Sequence, residues 1–124
     1  MIVKSLRESF GEFADITALG TNSAATAAMM KAKANRGATG ENAIVWNSGR
    51  VDVITGPVSV VLANGMLGEV TPKMAEALSS SRAEKLLLPL NQELLTMVGL
   101  KKEPLPHLID ELVNLMKEKY HVRS

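Results

Sequence analysis

Each apolar run of strand length in this chain ends on a glycine or a small polar residue. ITALG leads into Thr21 and Asn22, VDVITG into Pro57, and KLLLPL into Asn91. Such runs, separated by stretches with helical spacing, specify strands alternating with helices, and a parallel sheet is the arrangement that joins units of this kind. Parallel α/β sheets take ligands in the crevice beyond the carboxyl ends of their strands. Loops there need glycine where backbone must approach closely, and small polar side chains to cap the next helix. The pattern therefore locates a candidate site before it says anything about chemistry.

The chain has 124 residues, which predicts a single α/β domain over 1–124 with a core of useful size. Hydrophobic residues make up 46% and aromatics only 3%, so the core is expected from Ala, Val, Ile, Leu and Met. A formal charge of +1 argues against nucleic-acid and anionic-membrane partners, which need a basic patch. Lys101 and Lys102 come nearest to one, and Glu103 follows at once. With no cysteine there is no disulfide framework, zinc ribbon or thiol chemistry, and no leader pattern opens the chain; both fit a cytoplasmic protein. The apolar stretch 51–70 is broken by Asp52, Gly56, Asn64, Gly65 and Gly68, whereas a membrane span needs about 20 uninterrupted apolar residues.

Ile2, Val3, Leu6, Phe10 and Phe13 recur at helical spacing, and Gly11 suits a C-terminal cap. Residues 15–19 read as a strand, and Thr21 or Asn22 caps a helix through the alanines and methionines up to Ala32. Residues 35–40 read as a polar loop and 41–47 as a helix, although Ile44, Val45 and Trp46 suit a strand as well. Residues 51–55 form the next strand, and Pro57 and Pro72 each open a helix at a position where no donor is lost. A strand over 85–90 follows. The run 94–98 lies too close behind it for a parallel crossover and is expected as an antiparallel edge. Pro104 and Pro106 introduce a last helix with Leu108, Ile109, Leu112, Val113, Leu115 and Met116 as its stripe. The expectation is a three-layer, Rossmann-like domain with a mostly parallel sheet.

The segments LGTNSAATAAMMKAKANRGATGENAIVWN, ITGPVSVVLANGMLGEVTPKMAEAL and LLLPLNQ resemble a family of small uncharacterised bacterial proteins, chiefly clostridial, known only as a domain of unknown function. The resemblance covers nearly the whole chain and implies no activity, substrate or catalytic residue. It implies instead a short strand, an acidic residue and a glycine run ahead of the first helix. Met1 falls inside that helix, so this strand and loop have no counterpart here. Either the chain is a short version or its start lies further upstream. A missing strand would leave a row of backbone groups unpaired, which self-association would cover.

The expected ligand-binding set is Gly20, Thr21, Asn22, Arg36, Gly37, Thr39, Gly40, Glu41, Asn42, Gly56 and Asn91. Thr21 and Asn22 would offer a helix start to a phosphate or carboxylate; the plainer reading is a helix cap. Arg36 would pair an anion, with Gly37 and Gly40 admitting it closely; the plainer reading is a turn, a Thr39 cap, and Arg36 in solvent or paired with Glu41. No Lys-Ser/Thr follows Gly40, so this is not a Walker loop. Asn64 and Glu69 are expected to fix loops. His107 and His121 lack metal-spaced partners, no G-x-S-x-G elbow occurs, and no metal or cofactor is named. The methionines read as core filling and Trp46 as a packing or interface residue.

These residues favour a domain binding a small anionic ligand, a nucleotide or a metabolite, at its strand ends. Glu41 and Glu69 are the carboxylates to test for acid–base work. The alternative is a homo-oligomeric interaction protein whose glycines and caps are wholly structural.

Overall fold

The computed structural model describes residues 1–90 and 95–120. In chain order they form α1 (Ile2–Phe10), β1 (Thr17–Gly20), α2 (Ser23–Lys31), β2 (Arg36–Thr39), α3 (Glu41–Ser48), β3 (Val53–Pro57), α4 (Pro72–Ser80), β4 (Glu84–Leu88) and α5 (Leu105–Tyr120). Short 3₁₀ turns occupy Gly11–Phe13 and Val58–Val61. The class is α/β, with two small parallel sheets, β1 beside β2 and β3 beside β4. The chain divides into two compact units, residues 1–38 with 102–124, and residues 39–101.

In the first unit, α1 buries Val3, Leu6 and Phe10, the inward positions of its helical repeat. Gly11, at φ 55°, ends the helix, and its amide donates back to the Arg7 carbonyl. α5 packs on α1 and buries Ile109, Leu112 and Val113. Val3, Ala18 and Ala34 form a buried cluster, with Ile16, Met29 and Ala32 against it. The small side chains let α2 sit close on the strands.

That closeness explains Gly20 and Gly37. Thr26 of α2 is buried, and its hydroxyl lies 3.3 Å from the carbonyl oxygens of Asn22 and Ala38. A Cβ on Gly20 would stand 2.8 Å from Asn22 O and Thr26 N, both backbone atoms that cannot swing aside. On Gly37 it would meet Met30 Sδ and Thr26 Cγ2 at 2.9 Å, which are side-chain atoms.

In the second unit, β3 and β4 pair from Val53 opposite Glu84 to Pro57 opposite Leu88. α3 packs on α4, and α4 on the 58–61 turn. Ile44, Ile54, Val70, Met74, Ala75, Leu78 and Leu88 are buried. The Ser81 hydroxyl donates to the Ser48 carbonyl at the end of α3 and accepts from the Ala83 amide 3.1 Å away. Residues 62–70 close into a loop on their own backbone bonds: Asn64 N reaches Val70 O at 2.7 Å and Val70 N reaches Gly65 O at 3.1 Å.

Several sequence expectations are corrected. The supposed loop at 35–40 contains β2, because its backbone pairs with β1 although its side chains show no alternation. Gly56 and Pro57 finish β3 and do not open an α-helix; a strand end tolerates proline, and only a 3₁₀ turn follows. Asn64 and Glu69, expected to fix loops, lie exposed in the 62–70 loop. Among the described residues Met74 is the one methionine in the buried core and Phe13 is exposed; Trp46 is exposed too, which removes only the packing half of its expected role. The expected edge strand begins at Leu94, outside the described residues; Leu95 makes an isolated bridge, and 96–98 carry no strand.

Alanine at Gly20 is expected to lower stability by about 2 kcal/mol or more, as overpacking against fixed backbone does. Gly37→Ala should cost less, since Met30 can move. Urea denaturation of both variants measures the difference; equal costs would show that the α2 contact does not set the requirement for glycine.

Candidate functional site

In the first unit the candidate site lies where β1 gives way to α2. β1 ends at Gly20, and Asn22, in extended conformation, caps the helix: its Oδ1 accepts the Ala25 amide at 2.8 Å. The amides of Ser23 and Ala24 precede that first capped position, in the part of a helix that lacks intrahelical acceptors and carries the positive end of its dipole. Gly20 is committed to Thr26, so its absent Cβ admits the helix and not a ligand.

Arg36 stands at the other end of the same pair. Its Nη2 lies 2.9 Å from Asp15 Oδ1 and its Nη1 donates to Thr17 Oγ1 at 2.9 Å, both at the amino end of β1. The parallel strands thus carry Arg36 away from the turn that holds Thr21 and Asn22. The partner is Asp15, where solvent or Glu41 was expected. With side chains 57% and 69% exposed, this ion pair contributes little to stability. Gly37 follows within β2, under Met30.

In the second unit, Thr39 is the last residue of β2, and Gly40, at φ 96°, caps α3. The cap is therefore glycine where Thr39 was expected, and the Ile44 amide donates to its carbonyl at 3.0 Å. Glu41 and Asn42 form the first turn of α3. Glu41 Oε2 accepts the Thr71 hydroxyl at 2.6 Å, and Thr71 Oγ1 in turn accepts the Met74 amide at 3.2 Å. One carboxylate thus serves the starts of α3 and α4 together, where the dipoles of both favour negative charge. Glu41 is a structural tie here. Gly56 is buried in β3, yet a Cβ there would meet only Val60 Cγ1, at 3.6 Å. Asn91 lies outside the described residues.

Sequence reasoning missed Asp15, Thr17 and Thr26, whose roles depend on long-range pairing. It placed Thr71 at a helix start but did not foresee its bond to Glu41. It also missed Thr55, whose Oγ1 is buried in β3 without a hydrogen-bond partner. Among the described residues no group of three or more His, Asp or Glu is placed to hold a metal ion, and no helix is long and apolar enough to cross a membrane.

The family described as Domain of unknown function (DUF3842) matches residues 1–121, and the chain belongs to it. No curated protein and no solved structure matches the chain.

The Glu41–Thr71 tie predicts non-additive losses. Thr71→Ala removes the tie and a cap and should cost about 1–2 kcal/mol, Glu41→Ala about 1 kcal/mol. The double variant should lose less than the sum, by denaturant titration of the cycle. Thr55→Val replaces an unpaired buried hydroxyl with a methyl of like shape. It should raise stability by about 1 kcal/mol; a loss would mean that the hydroxyl has a partner in solution.

Proposed function

We propose that this member of DUF3842 binds a small anionic ligand, a nucleotide or a phosphorylated or carboxylated metabolite, beyond the carboxyl end of β1. The observation that supports it is the junction itself: a strand of a parallel pair ends at Gly20, and the capped start of a nine-residue helix follows at Asn22. Parallel sheets take anions at such junctions, where backbone donors and the helix dipole already favour negative charge. On the same ground we read β1, α2 and β2 as a Rossmann-like unit. Thr21 and Asn22, with the first amides of α2, are the binding groups in this proposal. Arg36 is left out because it bonds at the amino end, and Glu41 because it belongs to the second unit and is engaged by Thr71.

Self-association without ligand chemistry is the second reading. It is favoured by apolar side chains in the second unit that stand almost wholly in solvent, Leu67 and Val98 at 97% exposure each. Sedimentation over a range of concentrations tests it; a monomer throughout would dismiss it.

For the ligand reading, the test is a thermal-shift screen against nucleotides, dinucleotides, phosphosugars and acyl cofactors. A ligand at about a hundred times its Kd stabilises the folded form by about 2.7 kcal/mol. The deciding variant is Asn22→Asp. Aspartate caps a helix as well as asparagine does, so the fold should keep its melting temperature while the added charge repels an anion. Binding by the parent chain and by Arg36→Ala, with at least about a tenfold loss in Asn22→Asp, is expected; about 1.4 kcal/mol of repulsion suffices for that factor. Undiminished binding by Asn22→Asp would reject the site.

A further inference from the structure

The 62–70 loop carries a chemical liability that its own geometry imposes. Asn64 sits at φ 64°, a left-handed conformation that asparagine adopts more readily than most residues. At the next position a Cβ would stand 2.5 Å from Ser59 O and 3.1 Å from Leu62 O, so only glycine fits. Fold sterics therefore require glycine at 65 and favour asparagine before it, and no Cβ shields the amide nitrogen of Gly65 from that asparagine side chain. Asn64 is exposed to water and hydroxide. Asn22, Asn35, Asn42 and Asn47 each precede a residue with a side chain, and Asn22 and Asn47 are held at a helix cap and within a helix.

We propose that Asn64 is a site of spontaneous backbone-assisted deamidation, held in check by closure of the loop. The Gly65 nitrogen, losing its proton to hydroxide, attacks Asn64 Cγ. The new C–N bond closes a succinimide, the bond from Cγ to the side-chain nitrogen breaks, and ammonia leaves with a proton from water. Water then adds to either imide carbonyl and opens the ring to aspartate or to isoaspartate. No oxidant, reductant or cofactor is required.

Closure opposes the first step because the reacting peptide is fastened on every side. Gly65 N–H donates to Leu62 O at 2.9 Å, and Asn64 O accepts from Gly68 N at 3.0 Å. Asn64 N and Gly65 O are both bonded to Val70, which is only 2% exposed. Attack requires the Gly65 amide to leave Leu62 and rotate towards its neighbour's side chain, which means opening the loop. Once isoaspartate has formed, its extra main-chain carbon between the Asn64 nitrogen and the Gly65 carbonyl prevents both Val70 bonds from reforming. The modification makes a transient opening permanent.

The experiment ages the full chain at mildly alkaline pH, folded, in sub-denaturing urea and fully unfolded, followed by peptide mapping with isoaspartate detection. In the unfolded chain Asn64 should be modified ahead of every other asparagine. In the folded chain its rate should be at least about tenfold lower and should rise with urea in step with hydrogen exchange of the Gly65 and Val70 amides. A folded rate equal to the unfolded rate overturns the gating. Faster modification at another asparagine of the unfolded chain, or none at Asn64, overturns the site.

Discussion

The first unit depends on what one guanidinium holds. Arg7, near the end of α1, donates through Nε to Lys33 O at 3.0 Å and through Nη1 to Gly11 O at 2.6 Å and Ala14 O at 2.9 Å. Its Nη2 donates to Asn35 Oδ1 at 2.6 Å, and that same oxygen accepts the Ile16 amide at 2.7 Å. The turn after α1, the approach to β1 and the approach to β2 are thus fixed to one planar cation. Hydrogen bonds to charged groups contribute about 1.5–3 kcal/mol each when shielded and less where solvent competes. Geometry matters more than the sum: a planar fork satisfies carbonyls that converge from different segments, which a lysine ammonium on the same helix position would not match. Asn35 then sets the start of the parallel pair, since its own amide and that of Arg36 donate to Ile16 O at 2.8 and 3.3 Å.

What could be read from the sequence follows from this division between local and long-range causes. The cap at Thr21 or Asn22, Gly11 and the Thr71-Pro72 start were legible because a cap acts within a few residues of itself. The strand at Arg36–Thr39 was not, because RGAT has neither alternation nor strong β propensity, and its partner is β1, far back in the chain. Its extended form comes from the hydrogen bonds that β1 offers, a tertiary effect overriding composition. Pro57 misled for a related reason. The residue satisfies the first position of a helix and the last of a strand equally well, and only the pairing opposite Leu88 chooses between them.

The candidate site shows the same limit more sharply. Gly20 was legible as a place of close approach, but the approaching group is Thr26 of the helix that follows. Arg36 was legible as a cation within reach of the strands. Its end of the sheet was not, because direction along a strand is known only once the strand is recognised. Glu41 looked like a carboxylate at the start of a helix just after a polar loop, and its hydroxyl partner lies 30 residues further on.

These engagements narrow the recognition that β1 can offer. Asn22 Oδ1 is engaged by the Ala25 amide, and Arg36 by Asp15 and Thr17. The junction beyond Gly20 therefore presents mainly backbone amides and a helix dipole, which respond to negative charge but carry little information about the rest of a ligand. Discrimination between a nucleotide and a phosphosugar needs side-chain donors and apolar walls in addition. A site built this way would rank ligands by charge at the bound group first and by body second. Under the proposed ligand reading, weak, class-wide binding of anions is the expected behaviour, and tight selectivity would demand groups beyond those at the junction.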